Sequence, residues 1–258
     1  MQKNRERRES SSERMIIEGR NPVFEALSAG RPIDKIWISE TVRMSGVKKL
    51  IDLAKERQVP VQLVKPQKIN SVSQTEASQG VVAVLGAVQY ANLEDLFRKA
   101  EKKGTPPFII IADEITDPHN LGAIIRSANA AGADGVIIPK NRSAGLDAVA
   151  AKTSAGAVHY TPVVRVTNLA QTIDTLKERG LWLAGADMSG EKSLFESDLT
   201  GPIGLVVGSE GKGISRLLKE KCDFMVQIPM LGEIESLNAS VAAAIMMYEI
   251  VRQRGGRK

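Results

Sequence analysis

Six short apolar runs dominate the last 150 or so residues of this 258-residue chain: FIIIA (108–112), GVIIP (135–139), TPVVRV (161–166), LWLAGA (181–186), IGLVVG (203–208) and FMVQIP (224–229). None shows the apolar–polar alternation of a strand with one wet face. Runs of Val, Ile and Leu without it mark strands buried on both sides. Helical periodicity fills the gaps, at about 121–131, 145–155, 168–179, 214–221 and 237–252. Alternating buried strands and helices predict an α/β fold, a parallel sheet with helices on both faces.

A smaller α/β unit precedes it. Residues 15–92 read as a helix around Asn21–Ala29, a strand at Lys35–Ser39, a helix at Val47–Gln58, and strands at Val61–Val64 and Val81–Val88. Residues 1–14 (MQKNRERRESSSER) are polar, lack periodicity and read as a disordered arm. The charged stretch 93–107, with a helical start and ending in Gly104 and Pro106-Pro107, reads as a linker. The large domain is then 108–258, with a basic tail.

The residue counts exclude several classes of function. One cysteine, Cys222, and two histidines rule out a disulfide framework and supply too few ligands for a cysteine- or histidine-rich metal centre; no metal is expected. No apolar run approaches the roughly 20 residues of a membrane span, and the N-terminus lacks the apolar core of a secretory signal, so a cytoplasmic protein is expected. The formal charge of +5 is unevenly spread. Residues 1–14 carry net +2, 15–105 net +4, 106–251 net −5 and 252–258 net +4. A basic excess suits an acidic partner such as nucleic acid.

Ligands of open parallel sheets sit beyond the carboxyl ends of strands, and three post-strand segments there are unusual. In 112–135, a turn leads to Asn120, a good helix N-cap. Arg126 then falls among Ile124, Ile125, Ala128 and Ala130, where it must reach an anion or form an interdomain or intersubunit salt bridge. His119 reads as a turn residue. In 201–215 a buried strand runs into Gly208-Ser-Glu-Gly211-Lys-Gly213; the glycines let backbone amides approach a ligand, or simply make a tight turn. The spacing matches neither the triphosphate P-loop nor the dinucleotide Gly-x-Gly-x-x-Gly. In 228–254, Ser236 and Asn238 suit helix capping, and the helix beyond is apolar nearly all round, which argues burial on both sides and a homodimer contact.

Asn120-Leu121-Gly122 with Arg126, Gly208-x-Glu210-Gly211-x-Gly213, and Ile228-Pro229-Met230 with Ser236-Leu237-Asn238-x-Ser240 resemble, in this order and spacing, the three motifs of the SpoU-type (TrmH-like) RNA ribose 2′-O-methyltransferases of the SPOUT class. The match spans about 108–252. The preceding unit, opening IIEGRNPVFEAL, resembles the L30e-like RNA substrate-binding domain of the branch that methylates guanosine in 23S ribosomal RNA.

The resemblance implies a deep trefoil knot in the C-terminal sheet and a homodimer formed through that domain. It implies S-adenosylmethionine as cofactor, with Gly208, Ile228, Leu237 and Gly213 lining its site. It implies a catalytic cluster of Asn120, Arg126, Glu210, Ser236 and Asn238. The chemistry would be methyl transfer to a ribose 2′-hydroxyl. Because Arg stays protonated, Arg126 suits orientation, or activation through a neighbouring phosphate, better than free-base catalysis. For Asn120, Ser236 and Asn238, loop capping stands as the alternative role.

Two other readings compete: the transfer RNA guanosine 2′-O-methyltransferase of the same class, and a non-catalytic RNA-binding or ribosome-assembly protein on this fold. The L30e-like unit favours ribosomal RNA, since transfer RNA relatives commonly carry plain terminal helices instead. Ten aromatics argue against a base-stacking single-strand binder. The charge split predicts that the tails and the N-terminal unit make most phosphate contacts, with a local basic spot of Arg126, Lys140 and Arg142 at the active site.

Overall fold

A computed structural model of the chain describes residues 16–255, apart from Pro32, 74–77, 86–88, Ser189, Glu191 and 234–235. The expected arm at 1–14 and the end of the expected Val81–Val88 strand lie outside the described residues. The chain divides into two compact units, Met1–Val88 and Gln89–Lys258.

The first unit runs β1 (Ile16–Glu18), α1 (Arg20–Ser28), β2 (Ile33–Ser39), α2 (Lys48–Glu56), β3 (Val61–Val64), α3 (Pro66–Asn70) and β4 (Val81–Leu85). Its sheet has the order β1-β4-β2-β3, parallel only between β2 and β3. Strand periodicity splits the apolar residues of β4. Val81 and Ala83 pack with Val23 and Leu27 of α1 and Leu50 of α2. Val82 and Val84 pack on the other face with Trp37 and Ile69. The three-residue β1 and five-residue α3 are too short for periodicity to reveal.

The second unit begins with α4 (Leu93–Lys103), then β5 (Phe108–Ala112), α5 (Pro118–Ala130), β6 (Gly135–Pro139), α6 (Ala148–Thr153), β7 (Val163–Val166) and α7 (Leu169–Glu178). It continues with β8 (Trp182–Ala186), β9 (Lys192–Ser193), β10 (Ile203–Val207), α8 (Arg216–Lys221), β11 (Phe224–Gln227) and α9 (Ala239–Gln253). The sheet order is β7-β6-β5-β10-β8-β11-β9, and every pairing is parallel. All residues of β5 and β10 are buried, as their unbroken apolar runs require. The chain lays β5, β6 and β7 outward in one direction, then crosses over and drops β10 between β5 and β8. That reversal creates the switch point beside which ligands bind in open α/β sheets.

Helices cover both faces. Leu96 of α4, Ile173 and Leu176 of α7 and Leu218 of α8 join Ile109, Ile111, Leu183 and Val206 of the sheet in one core. Helices α5 and α6 pack together, and α9 lies against α5 and β10.

Three sequence expectations change here. The linker expected at 93–107 is helical through Lys103 and belongs to the second unit. Leu96 and Ala100, four residues apart and buried, seat it on the sheet. Asn92 and Asp95 close its first turn as a capping box, and Gly104 ends it at φ 65°. Its heavy charge hides this narrow apolar seam. Helix α5 starts earlier than expected: Asp117, whose carboxylate accepts from the His119 N–H at 2.8 Å, is the N-cap, and Asn120 lies inside the first turn. Helix α9 is not buried on both sides within this chain, since Val241 and Tyr248, seven residues apart, are about half exposed.

Candidate active site

The loop after β10 is held by backbone constraints. A Cβ on Gly208 would stand 2.0 Å from the carbonyl carbon of Gly213, so no side chain fits at 208. The Gly213 N–H donates to the Ser209 carbonyl at 2.9 Å, and Gly213 takes φ 66°, which favours glycine. The buried Asp113 carboxylate, just past β5, accepts from the Ser215 N–H at 2.8 Å and ties the far end of the loop down.

Beside this loop, at the carboxyl ends of β8, β10 and β11, lies a cavity of about 410 Å³. Gly208, Gly213, Ile228 and Leu237 all line it, and so do Glu210 and Ser236. A fourth wall was not anticipated. Asp187 and Met188, directly after β8, face the cavity, and Asp187 forms an ion pair with Lys219 of α8. Its sequence signal was a polar residue immediately after a buried strand, as with Asp113 after β5. Met246 of α9 adds apolar lining.

Three polar side chains from three post-strand segments meet at the switch point. The Asn120 amide donates to Glu210 Oε1 at 3.2 Å. The Asn238 amide donates both to Asn120 Oδ1 at 2.9 Å and to Glu210 Oε1. The Ala239 N–H also points at Glu210 Oε1, at 3.4 Å. Asn238 is the N-cap of α9 as well: its Oδ1 accepts from the Ser240 N–H at 3.0 Å and the Ser240 hydroxyl at 2.6 Å. For Asn238, capping and membership of the cluster hold together. For Asn120 the capping role is displaced by Asp117.

Arg126 does not join this cluster. It lies six residues beyond Asn120, about 240° around the helix. Its side chain is exposed, and it has no ion pair among the described residues. Within this chain α5 turns Arg126 to solvent, open to an anion or to a salt bridge with a second subunit.

At the carboxyl ends of β5 and β6, Glu114 and Arg142 form an ion pair at 3.2 Å between the loops that follow. Both are in the left-handed region, at φ 52° and 57°. Such a conformation costs a non-glycine residue on the order of 1–2 kcal/mol, whereas an exposed ion pair returns about 0–1 kcal/mol. No sequence pattern announces this strain.

Cys222 lies behind the site, against Gly185 and Met225. Burial, then the neighbouring Asp223 carboxylate, pushes its thiol up to about 12. That excludes it as a nucleophile near neutral pH. Among the described residues no group of three or more potential ligand side chains could hold a metal ion, and no helix is long and apolar enough to cross a membrane.

Fold and site together define a class: a parallel α/β domain with a ligand cavity and a polar cluster at the switch point, preceded by a small α/β unit. Comparison with known proteins makes the class specific. Residues 107–248 match the model of the SpoU rRNA methylase family, and residues 16–91 match that of the RNA 2′-O ribose methyltransferase substrate-binding domain. The Bacillus subtilis protein YacO, whose name places it in the TrmH family of tRNA/rRNA methyltransferases, is 46% identical over 95% of this chain and 98% of its own. The crystal structure of the SpoU methyltransferase AviRb from Streptomyces viridochromogenes, in complex with AdoMet, superposes with TM-score 0.74. It is 28% identical and covers 96% of this chain and 93% of that one. A TrmH/SpoU tRNA-modifying enzyme from A. aeolicus is 31% identical, with TM-score 0.55, over 63% of this chain and 84% of its own. This chain belongs to the SpoU/TrmH family of RNA methyltransferases.

Proposed function

We propose that this protein methylates the ribose 2′-hydroxyl of a guanosine in 23S ribosomal RNA, with S-adenosylmethionine as methyl donor. The observation that carries the reading is the Asn120–Glu210–Asn238 cluster at the edge of a cavity whose wall includes Glu210 and Ser236.

The residues present fit the cofactor. About 410 Å³ is a small-molecule volume. Gly208 and Gly213 expose backbone, while Ile228, Leu237 and Met246 offer apolar surface. S-adenosylmethionine supplies an activated methyl group on a sulfonium. The rest falls to this chain: to position the ribose oxygen in line with that methyl carbon, and to ease loss of the hydroxyl proton. Glu210 Oε1 accepts from the Asn120 and Asn238 amides and faces the Ala239 N–H, so it anchors the two asparagines rather than serving as a free base. The Ser236 hydroxyl, exposed on the cavity wall, is placed to touch substrate.

Arg126, solvent-facing on α5, lies apart from its own cluster. Helix α9 packs on α5 and leaves Val241 and Tyr248 exposed. A homodimer formed over that face would bring Arg126 to the partner's site, where its fixed positive charge orients a substrate phosphate and stabilises the negative charge that develops on the ribose oxygen as its proton leaves. The reading includes the family's deep trefoil knot in the second unit.

Ribosomal RNA is favoured over transfer RNA by the first unit: the tRNA-modifying neighbour matches about the length of the second unit alone. The test is transfer of radiolabelled methyl to unmodified 23S ribosomal RNA and to unmodified transfer RNA transcripts, with the product mapped for alkali-resistant ribose. Label in a ribosomal guanosine ribose is expected. Label only in transfer RNA, or none with cofactor bound, overturns it.

A further inference from the structure

The loop after β6 is built more firmly than a connection needs. Its Ala144 N–H donates to the Ile115 carbonyl at 2.7 Å, and the Ser143 hydroxyl donates to the same carbonyl at 3.3 Å. At its far end the Leu146 N–H donates to the Tyr90 hydroxyl at 3.1 Å. At its start the Lys140 carbonyl accepts from Arg165 at 2.9 Å, and the Arg165 guanidinium lies 5.4 Å from the centre of the Tyr90 ring. Ile115 stands five residues before Asn120, at most about 18 Å of chain. The loop is therefore tethered directly to the segment that carries the polar cluster.

On this loop stands Arg142. Its side chain is 81% exposed, and among the described residues only its Nη1 has a partner, the half-buried Glu114. Arginine has five N–H donors in a planar fork, so most of the fork faces solvent at the carboxyl edge of the sheet. Both members of the pair hold left-handed backbones that their exposed ion pair does not repay in stability. A strained, over-anchored arrangement that is not stabilising points to use in binding. A planar fork with open donors is suited to a phosphodiester, which it can grip through two parallel hydrogen bonds.

We propose that Arg142, aimed by Glu114, grips a backbone phosphate of the substrate RNA beside the methyl-transfer site. This rests on the RNA methyltransferase reading above and adds a phosphate contact within the otherwise acidic 106–251 segment. Glu114 is the positioning residue: it holds one edge of the guanidinium, and the phosphate takes the other.

The experiment measures binding of the full chain, with S-adenosylmethionine present, to unmodified 23S ribosomal RNA and transfer RNA transcripts between about 50 and 200 mM salt. Arg142→Gln is expected to weaken RNA binding about tenfold and to flatten the slope of log affinity against log salt by roughly 0.7–0.9, one phosphate contact. Cofactor affinity stays at the wild-type value. Arg142→Lys restores the slope while leaving affinity short, because an ammonium lacks the fork. Glu114→Gln loses the ion pair but keeps an acceptor oxygen for one guanidinium edge, so it is expected to weaken RNA binding by less than Arg142→Gln and to leave the salt slope at the wild-type value. An unchanged slope in Arg142→Gln overturns the proposal. So does an equal loss of affinity in Glu114→Gln and Arg142→Gln, the mark of a merely structural pair. Failure of the wild type to bind either RNA overturns both this proposal and the function it rests on; normal wild-type methylation with a silent Arg142→Gln overturns this one alone.

Discussion

Asn238 shows how much one side chain can carry. Its oxygen caps α9, and its amide nitrogen fastens Asn120 and Glu210. Replacing it therefore disturbs both a helix end and the cluster, whereas Arg126 can be changed without touching either. Arg126→Ala is expected to abolish methyl transfer while cofactor affinity, measured by calorimetry, stays near normal; near-normal turnover would remove Arg126 from the chemistry. If Arg126 acts across a dimer, mixing Arg126→Ala with Asn238→Ala chains restores one intact site per heterodimer. If it acts in its own chain, the mixture stays dead. Cys222 makes the opposite kind of prediction. With its thiol at about 12, it should resist alkylation in the native protein at pH 8 and react once the chain is denatured. Because the fold favours the neutral thiol over a reference value of 9.0, that part of the stability is complete below about pH 9 and is lost as pH climbs toward 12.

Helix α4 separates two readings of the same charged stretch. As a linker, 93–103 would tolerate any polar or small residue. As a helix on the sheet, it depends on Leu96, which is fully buried. Leu96→Ala should cost about 2–5 kcal/mol in chemical denaturation of the protein, while Lys102→Ala on its exposed side should stay within about 0.5 kcal/mol. Equal, small effects would return the stretch to linker status. Lys103 adds to the argument, since it pairs at 2.6 Å with Asp134, whose other oxygen accepts from the Phe108 N–H at 2.8 Å. The helix is thus wired to the first strand of the sheet it covers.

For the molecule as a whole, the charge split survives in altered form. Two of the four cations in 252–258 are committed within the fold: Arg252 to Glu249, and Arg254 to the carbonyls of Pro106, Pro107 and Gly201. Arg257 and Lys258 lie outside the described residues. The N-terminal unit is then the main candidate for phosphate contacts. Deleting residues 1–88 is expected to weaken RNA binding strongly in a filter-binding assay while cofactor binding survives; unchanged RNA affinity would refute the split. The cut belongs at 88 and not at 105, because removing 93–103 would strip Leu96 and Ala100 from the core of the second unit.

Local pattern determined most of the architecture. Doubly buried strands must be apolar throughout, so β5, β6, β8 and β10 announced themselves, and with them a covered parallel sheet. Glycines at 208 and 213 marked the cavity, and Asn120, Glu210 and Asn238 in the post-strand segments marked the cluster, because close backbone approach and ligand chemistry demand those residue types. Tertiary structure alone decided what depends on position in space. It set the insertion of β10 between β5 and β8, which brings Asn120 and Asn238 to one carboxylate from 118 residues apart. It turned Arg126 away from that carboxylate, seated a charged helix on the sheet, and strained Glu114 and Arg142 into a pair. Periodicity reports which face of an element is dry. It does not report which element will lie against that face, and the chemistry of this site depends on that second choice.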